Sequence, residues 1–369
     1  MRDDLLYALA LYQTANIGTK ITQQLLTHFG TLPKIFEASF QKLIHVKGFA
    51  EKSATDFLKN KTEALKRAEK EIKFIEKNNI DVLFFDDNEY PTRLKECHDA
   101  PFLLFSKGVY DFNTHKVLSV VGTRHATEYG RKITNQIIEE LAALDVCIVS
   151  GLALGIDSVA HQSAVKYELQ NIAVLGHGLD IIYPSVNKNL ANKIIENGAL
   201  LTDFFSETLP NKQHFPRRNR IVAGMADAVL VVESAEKGGA LITAEIANSY
   251  NKEVFAVPGN IDNTYSVGCN AIIKQNKAQL VTNATDIITL LNWDIDFKKP
   301  TEHKQTQLFI QLNDDEESIY QLIQTHKKIH IDTILSNINK SISYVSNILL
   351  QLELKDLIKP LPGKHYTTV

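Results

Sequence analysis

The chain has 369 residues, too many for one small core, so two or three domains are expected. Its composition, 44% hydrophobic and 22% charged, is that of an ordinary soluble globular protein. The net charge of −3 gives no overall attraction to nucleic acid, so any such binding must come from a local cluster of cations.

The cysteines and the apolar segments narrow the possible classes of protein. Cys97, Cys147 and Cys269 lie far apart within apolar runs. An odd number at such spacing argues against a disulfide framework or a Cys-rich metal site. No apolar stretch approaches the ~20 residues of a membrane span, and the N-terminus lacks a signal-peptide cleavage site. We therefore expect buried thiols in a cytoplasmic protein, with no membrane contact, no metal and no cofactor.

Residues 1–80 are predicted to form a helical domain. Apolar residues recur every three or four positions, and Gly18, Gly30 and Gly48 mark breaks between the helices. The turns at 16–19 and 46–49 resemble those of helix-hairpin-helix or SAM-like modules, which can present backbone N–H groups to phosphate. Neither turn has the usual G-x-G, which favours a structural role or weak DNA contact over firm DNA binding.

Residues 81–293 are predicted to form an α/β domain. Short β-branched runs alternate with segments of helical periodicity, and strands separated by helices imply right-handed βαβ crossovers. The expected fold is an extended Rossmann-like, doubly wound, mostly parallel sheet, in which ligands bind at the carboxyl ends of the strands. The predicted strands are 117–121, 146–150, 172–175, 199–202, 228–233, 253–257 and 280–281.

A polar stretch, 294–313, is predicted to be a linker, and residues 314–369 to form a winged-helix domain. Three helices at 316–324, 330–336 and 341–354 precede a hairpin formed by 357–360 and 364–367. The domain has six Lys or Arg and seven Asp or Glu, a balance that suits a protein-contact module better than a DNA-groove reader. Both roles stay open.

Glycine-rich turns follow the predicted strands. Glycine lets the backbone approach a ligand, free N–H groups at a helix start attract an anion, and an arginine can bind phosphate with two hydrogen bonds. Neither the dinucleotide fingerprint nor the P-loop motif is present. The candidate residues are Gly122, Thr123 and Arg124 after the first strand, Ser150 and Gly151 after the second, and Gly238 and Gly239 after the fifth.

Asp157 and His161 follow the second of these turns on one helix face. We expect them to cap and pack the helix, and an acid/base pair is the alternative.

The segment 212–220 carries four cations beside one aromatic ring, with no acidic residue between Glu207 and Asp227. Cations that neutralise phosphate and a ring that stacks on a base are the two ingredients of single-strand binding. An ordinary basic turn before a helix is the alternative. The candidate residues are Lys212, Phe215, Arg217, Arg218, Asn219 and Arg220.

Together these motifs resemble the DNA-processing protein A (DprA/Smf) family. The matching run extends from residue 117 to about 288 and includes Val-Val-Gly-Thr-Arg, Ser-Gly-Leu-Ala-Leu-Gly-Ile-Asp, Phe-Pro-Arg-Arg-Asn-Arg and Gly-Gly-Ala-Leu-Ile-Thr-Ala. The resemblance implies a non-catalytic protein of natural transformation that binds incoming single-stranded DNA, protects it and loads the RecA recombinase. The glycine-turn residues 122–124 and 150–151 and the basic segment would form the DNA pocket.

The resemblance also implies a homodimer whose contacts lie near Asn270, Ile273 and Leu280. This chain departs from the family there, because the usual Gly-Ala before the last strand is replaced by Asn276-Lys277-Ala278.

A different class of function remains as the alternative. The fold and the Gly-Gly turn also resemble lysine-decarboxylase-like nucleoside-monophosphate phosphoribohydrolases, in which an Arg and a Glu act on a nucleotide. Arg220 and Glu245 would take these roles. However, Glu245 lies two residues after Thr243, whereas that family places it three residues after.

Overall fold

The computed structural model describes residues 4–14, 17–293, 312–326, 328–338, 340–355, 357–361 and 363–368. It contains two compact units, Met1–Ile295 and Asp296–Val369, each described here by itself. Most of the predicted linker, 294–313, lies outside the described residues.

Among the described residues, no helix has both the length and the apolar character that crossing a membrane requires.

The first unit begins with helices, as the spacing of apolar residues predicts. The breaks between them are formed by residues that tolerate a left-handed backbone: Gly30 (φ 80°) follows the second helix and Asn79 (φ 51°) the fifth. The helices within 4–14 and 17–78 are α1 (Leu5–Gln13), α2 (Thr19–Phe29), α3 (Leu32–Glu37), α4 (Phe40–Ile44) and α5 (Glu51–Asn78).

The α/β part of this unit consists of alternating strands and helices. The strands are β1 (Asp81–Phe84), β2 (Leu103–Gly108), β3 (Val117–Val121), β4 (Cys147–Ser150), β5 (Asn171–Val174), β6 (Gly198–Thr202), β7 (Ala228–Val231), β8 (Glu253–Ala256) and β9 (Gln279–Leu280). The helices are α6 (Thr92–Lys95), α7 (Glu128–Leu141), α8 (Ile156–Lys166), α9 (Lys188–Ile194), α10 (His214–Met225), α11 (Gly239–Ser249), α12 (Val267–Lys274) and α13 (Ala284–Leu290).

These strands form one sheet in the order β1-β2-β6-β5-β4-β3-β7-β8-β9. The pairs from β6 through to β9 are parallel, which confirms the mostly parallel sheet. β1 and β2, which the sequence analysis did not identify, add an antiparallel edge through the pairs β1–β2 and β2–β6. From β3 the order runs outward in both directions, so β3 and β7 flank a topological switch point.

Helices cover both faces of the sheet. Alternate residues of a strand point to opposite faces: Val117 and Val121 of β3 pack with α10 and α11, whereas Leu118 and Val120 pack with α7 and α8. The three cysteines are buried free thiols in these cores, as predicted.

The N-terminal helices share a core with the antiparallel edge of the sheet. Phe57 and Ile75 of α5 belong to the same apolar cluster as Phe105 of β2 and Phe205. A polar link reinforces the contact, because the buried Glu71 carboxylate accepts hydrogen bonds from the Ser206 backbone N–H (2.9 Å) and hydroxyl (2.5 Å). We keep residue 80 as a proposed domain boundary, although the two parts are packed together.

The second unit has the winged-helix arrangement. Three helices pack around buried residues such as Ile319, Ile334 and Leu349, and a small sheet has the order β10-β12-β11. Its elements are α14 (Asp314–His326), β10 (Ile329–His330), α15 (Ile331–Asn337), α16 (Ile342–Leu354), β11 (Ile358–Leu361) and β12 (His365–Thr368).

His161 packs inside the first unit, as expected, and fixes the loop that follows β4. Its Nδ1 lies 2.6 Å from Asn171 Oδ1, and its Nε2 accepts the Leu152 backbone N–H at 3.3 Å. Both contacts fit a neutral ring that carries its proton on Nδ1. Burial lowers the pKa of His161 to about 4, against the opposing effect of the Asn171 hydrogen bond.

We predict that His161 makes the protein less stable as the pH falls from about 6.5 towards 4. Because its pKa is lower in the folded state, protons bind the unfolded chain first, and the loss reaches ~2 kcal/mol near pH 5. Urea unfolding near pH 7 and pH 5 measures it. His161→Gln should remove this part of the pH dependence, whereas His28→Gln, at an exposed position, should not. An unchanged pH dependence in His161→Gln would contradict the assignment.

Candidate nucleic-acid interface

A cavity of about 310 Å³ lies at the switch point, where β3 and β7 end. In open α/β sheets this is where ligands bind. The loop after β3, the first turn of α10 and the loop after β7 converge on it. The predicted contact residues that line it are Gly122, Thr123, Arg124, Phe215, Arg218, Asn219, Gly238 and Gly239.

Arg124 and Phe215 lie in contact with each other at the cavity. The Arg124 side chain is exposed, and its guanidinium carbon lies 5.1 Å from the centre of the half-buried Phe215 ring. This is a cation–π contact, which leaves guanidinium N–H groups free to bind phosphate. A cation and an aromatic ring are therefore brought together at the end of the sheet.

The loop that carries Arg124 is fixed by Glu233, a buried residue that follows β7. The Thr123 backbone N–H donates to the Glu233 carbonyl at 2.8 Å. The Glu233 carboxylate accepts the backbone N–H of Thr127 at 2.9 Å and also its hydroxyl. Thr127 in turn caps α7 by accepting the Gly130 N–H at 3.1 Å. The position of Arg124 is thus set by both strands at the switch point.

Arg218 is buried and acts within the protein. Its Nη1 donates to the carbonyls of Gly151 (2.5 Å) and Val174, at the ends of β4 and β5. Burial lowers its pKa to about 10, and the Asp157 carboxylate opposes that shift. A side chain held in this way supports the floor of the cavity.

The glycines and Ser150 mainly permit close packing. A Cβ on Gly122 would lie 2.5 Å from the Ile156 side chain, and one on Gly151 would lie 2.3 Å from the Arg218 guanidinium. Ser150 is buried and donates its hydroxyl to the Val120 carbonyl at 2.6 Å. These residues therefore hold the loops in position through contacts inside the protein.

The Gly-Gly turn differs between its two residues. A Cβ on Gly238 would meet the Ser234 hydroxyl at 2.1 Å, so this glycine is required by packing. Gly239 is exposed, begins the eleven-residue α11 and has open space where a Cβ would stand. Gly239 is therefore the residue of this turn that a ligand can approach.

Arg217 and Arg220 lie on another side of α10, against the buried carboxylate of Asp203. Asp203 Oδ2 lies 3.0 Å from Arg217 Nη2 and 2.7 Å from Arg220 Nη2, and the Tyr12 hydroxyl donates to the Asp203 carbonyl at 3.1 Å. Both arginines line a separate cavity of about 650 Å³ beside the N-terminal helices. Arg217 keeps a 48% exposed side chain, whereas Arg220 is 16% exposed.

Lys212 is exposed and lies just before α10, but it does not line the strand-end cavity. Lys212 is thus an exposed cation two residues before the helix that carries Phe215.

Two functional neighbours were missed by the sequence analysis. Asp203 follows β6 directly, just outside the acid-free window around the basic segment, and its place after a strand was the available signal. Tyr183 was not among the predicted contact residues, although its ring stacks near Phe215 with centroids 6.3 Å apart and an interplanar angle of 28°.

The residues predicted for a dimer interface lie at the β9 edge of the sheet. Leu280 of β9 is 50% exposed, and Ile273 of α12 packs partly into the core. Asn270 instead holds a loop, since its amide donates to the Gly259 carbonyl at 2.9 Å. In the segment 276–278, where this chain differs from the family, Asn276 adopts a left-handed φ of 53°, a conformation that glycine adopts most easily.

The two residues of the alternative enzyme reading do not meet. Thr243 lines the strand-end cavity, whereas the exposed Glu245 is not among its lining residues. Arg220 is paired with Asp203 in the other cavity. Across the part of the chain that the structure describes, no cluster of three or more His, Cys, Asp or Glu could hold a metal.

Comparison with protein families identifies both units. Residues 81–292 match the model of the DNA recombination-mediator protein A family, and residues 303–364 match that of the DprA winged helix domain. The chain is 34% identical over 292 residues to Protein Smf of Synechocystis sp., covering 77% of this chain and 72% of the relative. It is 41% identical over 202 residues to DNA processing protein DprA of Streptococcus pneumoniae, covering 55% of this chain and 71% of the relative.

Solved structures of relatives have the same fold. DNA processing protein A from Streptococcus pneumoniae superposes with a TM-score of 0.64 at 30% identity, covering 77% of this chain and 97% of the relative. The Helicobacter pylori protein, whose structure was described for its single-stranded DNA binding mode, gives 0.53 at 29% identity, covering 58% and 96%.

Proposed function

Because this chain belongs to the DNA recombination-mediator protein A family, we propose that it binds single-stranded DNA at the cavity between the ends of β3 and β7. The choice of single-stranded DNA as the ligand is supported by the Helicobacter pylori relative, whose structure was described for its single-stranded DNA binding mode. The location rests on this chain's own side chains.

The pairing of Arg124 with Phe215 carries the proposal. An exposed guanidinium 5.1 Å from an aromatic ring supplies a phosphate contact and an apolar surface at one point. In a duplex the bases are stacked on one another inside the helix, so they cannot reach a ring in a cavity. A single strand can offer both groups, and it should bind more tightly.

The predicted contact residues divide into two groups under this proposal. Those with accessible groups at or near the cavity would touch the strand there: Arg124, Lys212, Phe215, Asn219 and Gly239. Arg217, whose exposed side chain lies on another side of α10, would touch the strand beyond the cavity. The others would hold the cavity in shape: Gly122, Thr123, Ser150, Gly151, Arg218, Arg220 and Gly238.

We extend the proposal to the biological role that the family resemblance implies. The chain would act in the cytoplasm as a non-catalytic protein of natural transformation, protecting incoming DNA and loading the RecA recombinase onto it. It would do so as a homodimer formed through the β9 edge.

We predict that Arg124→Ala weakens binding of a ~30-nucleotide single strand roughly 10- to 100-fold, because it removes charge-assisted phosphate contacts. Phe215→Ala should cost ~1–3 kcal/mol of stacking, and Lys212→Ala should also weaken binding. Fluorescence anisotropy measures the affinities.

Arg131→Ala is the matched control, since it removes an exposed arginine on α7 that does not line the cavity. Log affinity should fall linearly with log salt, with a slope of ~0.7 per phosphate contacted. Arg131→Ala should bind like the wild type. If Arg124→Ala, Phe215→Ala and Lys212→Ala also fold and bind like the wild type, the site lies elsewhere.

A second prediction separates a binder from an enzyme. Glu245→Ala should leave single-strand affinity nearly unchanged, because Glu245 does not line the cavity, and the wild type should release no free base from a nucleoside monophosphate. Chromatography of the reaction mixture detects the base. Hydrolysis by the wild type that disappears in Glu245→Ala would overturn the non-catalytic assignment.

A third prediction concerns the dimer. Ile273→Glu should give monomers, because an unpaired carboxylate would be buried at the proposed interface. Light scattering reports the mass. Val109→Glu is the matched control, since Val109 is 70% exposed in the loop after β2, away from the β9 edge. A dimer that persists in Ile273→Glu would place the interface elsewhere.

A further inference from the structure

Tyr183 presents exposed aromatic surface beside the strand-end cavity. The residue is 47% exposed, whereas Phe215 is half-buried. Phe215 is already contacted by the Arg124 guanidinium and by the Tyr183 ring, and a Cβ on Gly176 would lie 3.1 Å from its ring. Tyr183 is therefore more open to a base than Phe215, although Phe215 also lines both the cavity and the recess beside it.

A small apolar recess adjoins Tyr183. Its walls include Leu154, Tyr183 and Pro184, and it shares Arg124 and Phe215 with the larger cavity. Leu154 is also 45% exposed. Arg124 and Phe215 thus stand between a side with open space at Gly239, which suits phosphate, and a side with exposed apolar and aromatic surface, which suits a base.

We propose that Tyr183, with Leu154 beside it, forms a second base-binding surface of this chain, the Tyr183 subsite, next to that of Phe215. The inference rests on the proposed single-strand binding and adds a further side chain that meets a base. Stacking on a ring flanked by aliphatic groups reads no hydrogen-bonding edge, so the subsite accepts any base.

The test combines protein variants with a strand that has no bases. Wild type, Tyr183→Ala and Tyr183→Phe are titrated with a short oligonucleotide of mixed sequence and with a deoxyribose-phosphate strand of the same length. Tyr183→Ala should lower affinity for the oligonucleotide about 5- to 150-fold, the equivalent of ~1–3 kcal/mol per stacked base. It should leave affinity for the base-free strand unchanged, and Tyr183→Phe should bind both like wild type.

Val186→Ala provides a matched control, because Val186 is a 72% exposed apolar residue three positions further along the same loop. Equal losses of Tyr183→Ala on both strands would show a structural role and overturn the inference, as would no loss on either. If Arg124→Ala weakens binding but Tyr183→Ala does not, the subsite fails and the proposed function stands. If the wild type binds neither strand, both the Tyr183 subsite and the proposed function are wrong.

Discussion

The buried guanidinium of Arg218 is the contact on which the geometry of the cavity depends. It ties the first turn of α10 to the carbonyls at the ends of β4 and β5, and it occupies the space that any side chain at Gly151 would fill. Burial of a charge is costly unless the charge is hydrogen-bonded, and these carbonyls accept from the Arg218 guanidinium, while the Asp157 carboxylate opposes the lowering of the Arg218 pKa by burial. Phe215 lies one turn earlier on the same helix, so its position follows from this anchor.

The four cations of the basic segment 212–220 are not equally available to a ligand. Asp203 pairs with Arg217 and Arg220 from within the protein, and Arg218 is buried, so Arg124 and Lys212 are the predicted cationic contacts that are exposed and not paired with Asp203. A few accessible charges beside an aromatic ring suit a ligand that is held by phosphate and base together. They suit a ligand held by charge alone less well.

The sequence predicted the central strands because each is a short β-branched run that is buried on both faces, as Val117–Val121 shows. It did not reveal β1 and β2, since β2 joins the sheet through antiparallel pairing with β6, about a hundred residues away along the chain, and β1 then pairs with β2. The cations were identified, but their roles were not. Arg218 bonds to carbonyls 44 and 67 residues distant, and such partners leave no local pattern. The glycines were expected to let the backbone approach a ligand. At Gly122 and Gly151, however, the space beside the Cα is occupied by other side chains of the protein.

The core shared by the N-terminal helices and the sheet edge limits how this protein can be shortened or recombined with its relatives. Phe57 and Ile75 cover Phe105 and Phe205, so a chain that began at β1 would place those rings in water. It would also remove the Tyr12 hydroxyl that lies against Asp203. A transplanted α/β unit would therefore need new polar side chains on β2, or a replacement cover, before it could remain monodisperse.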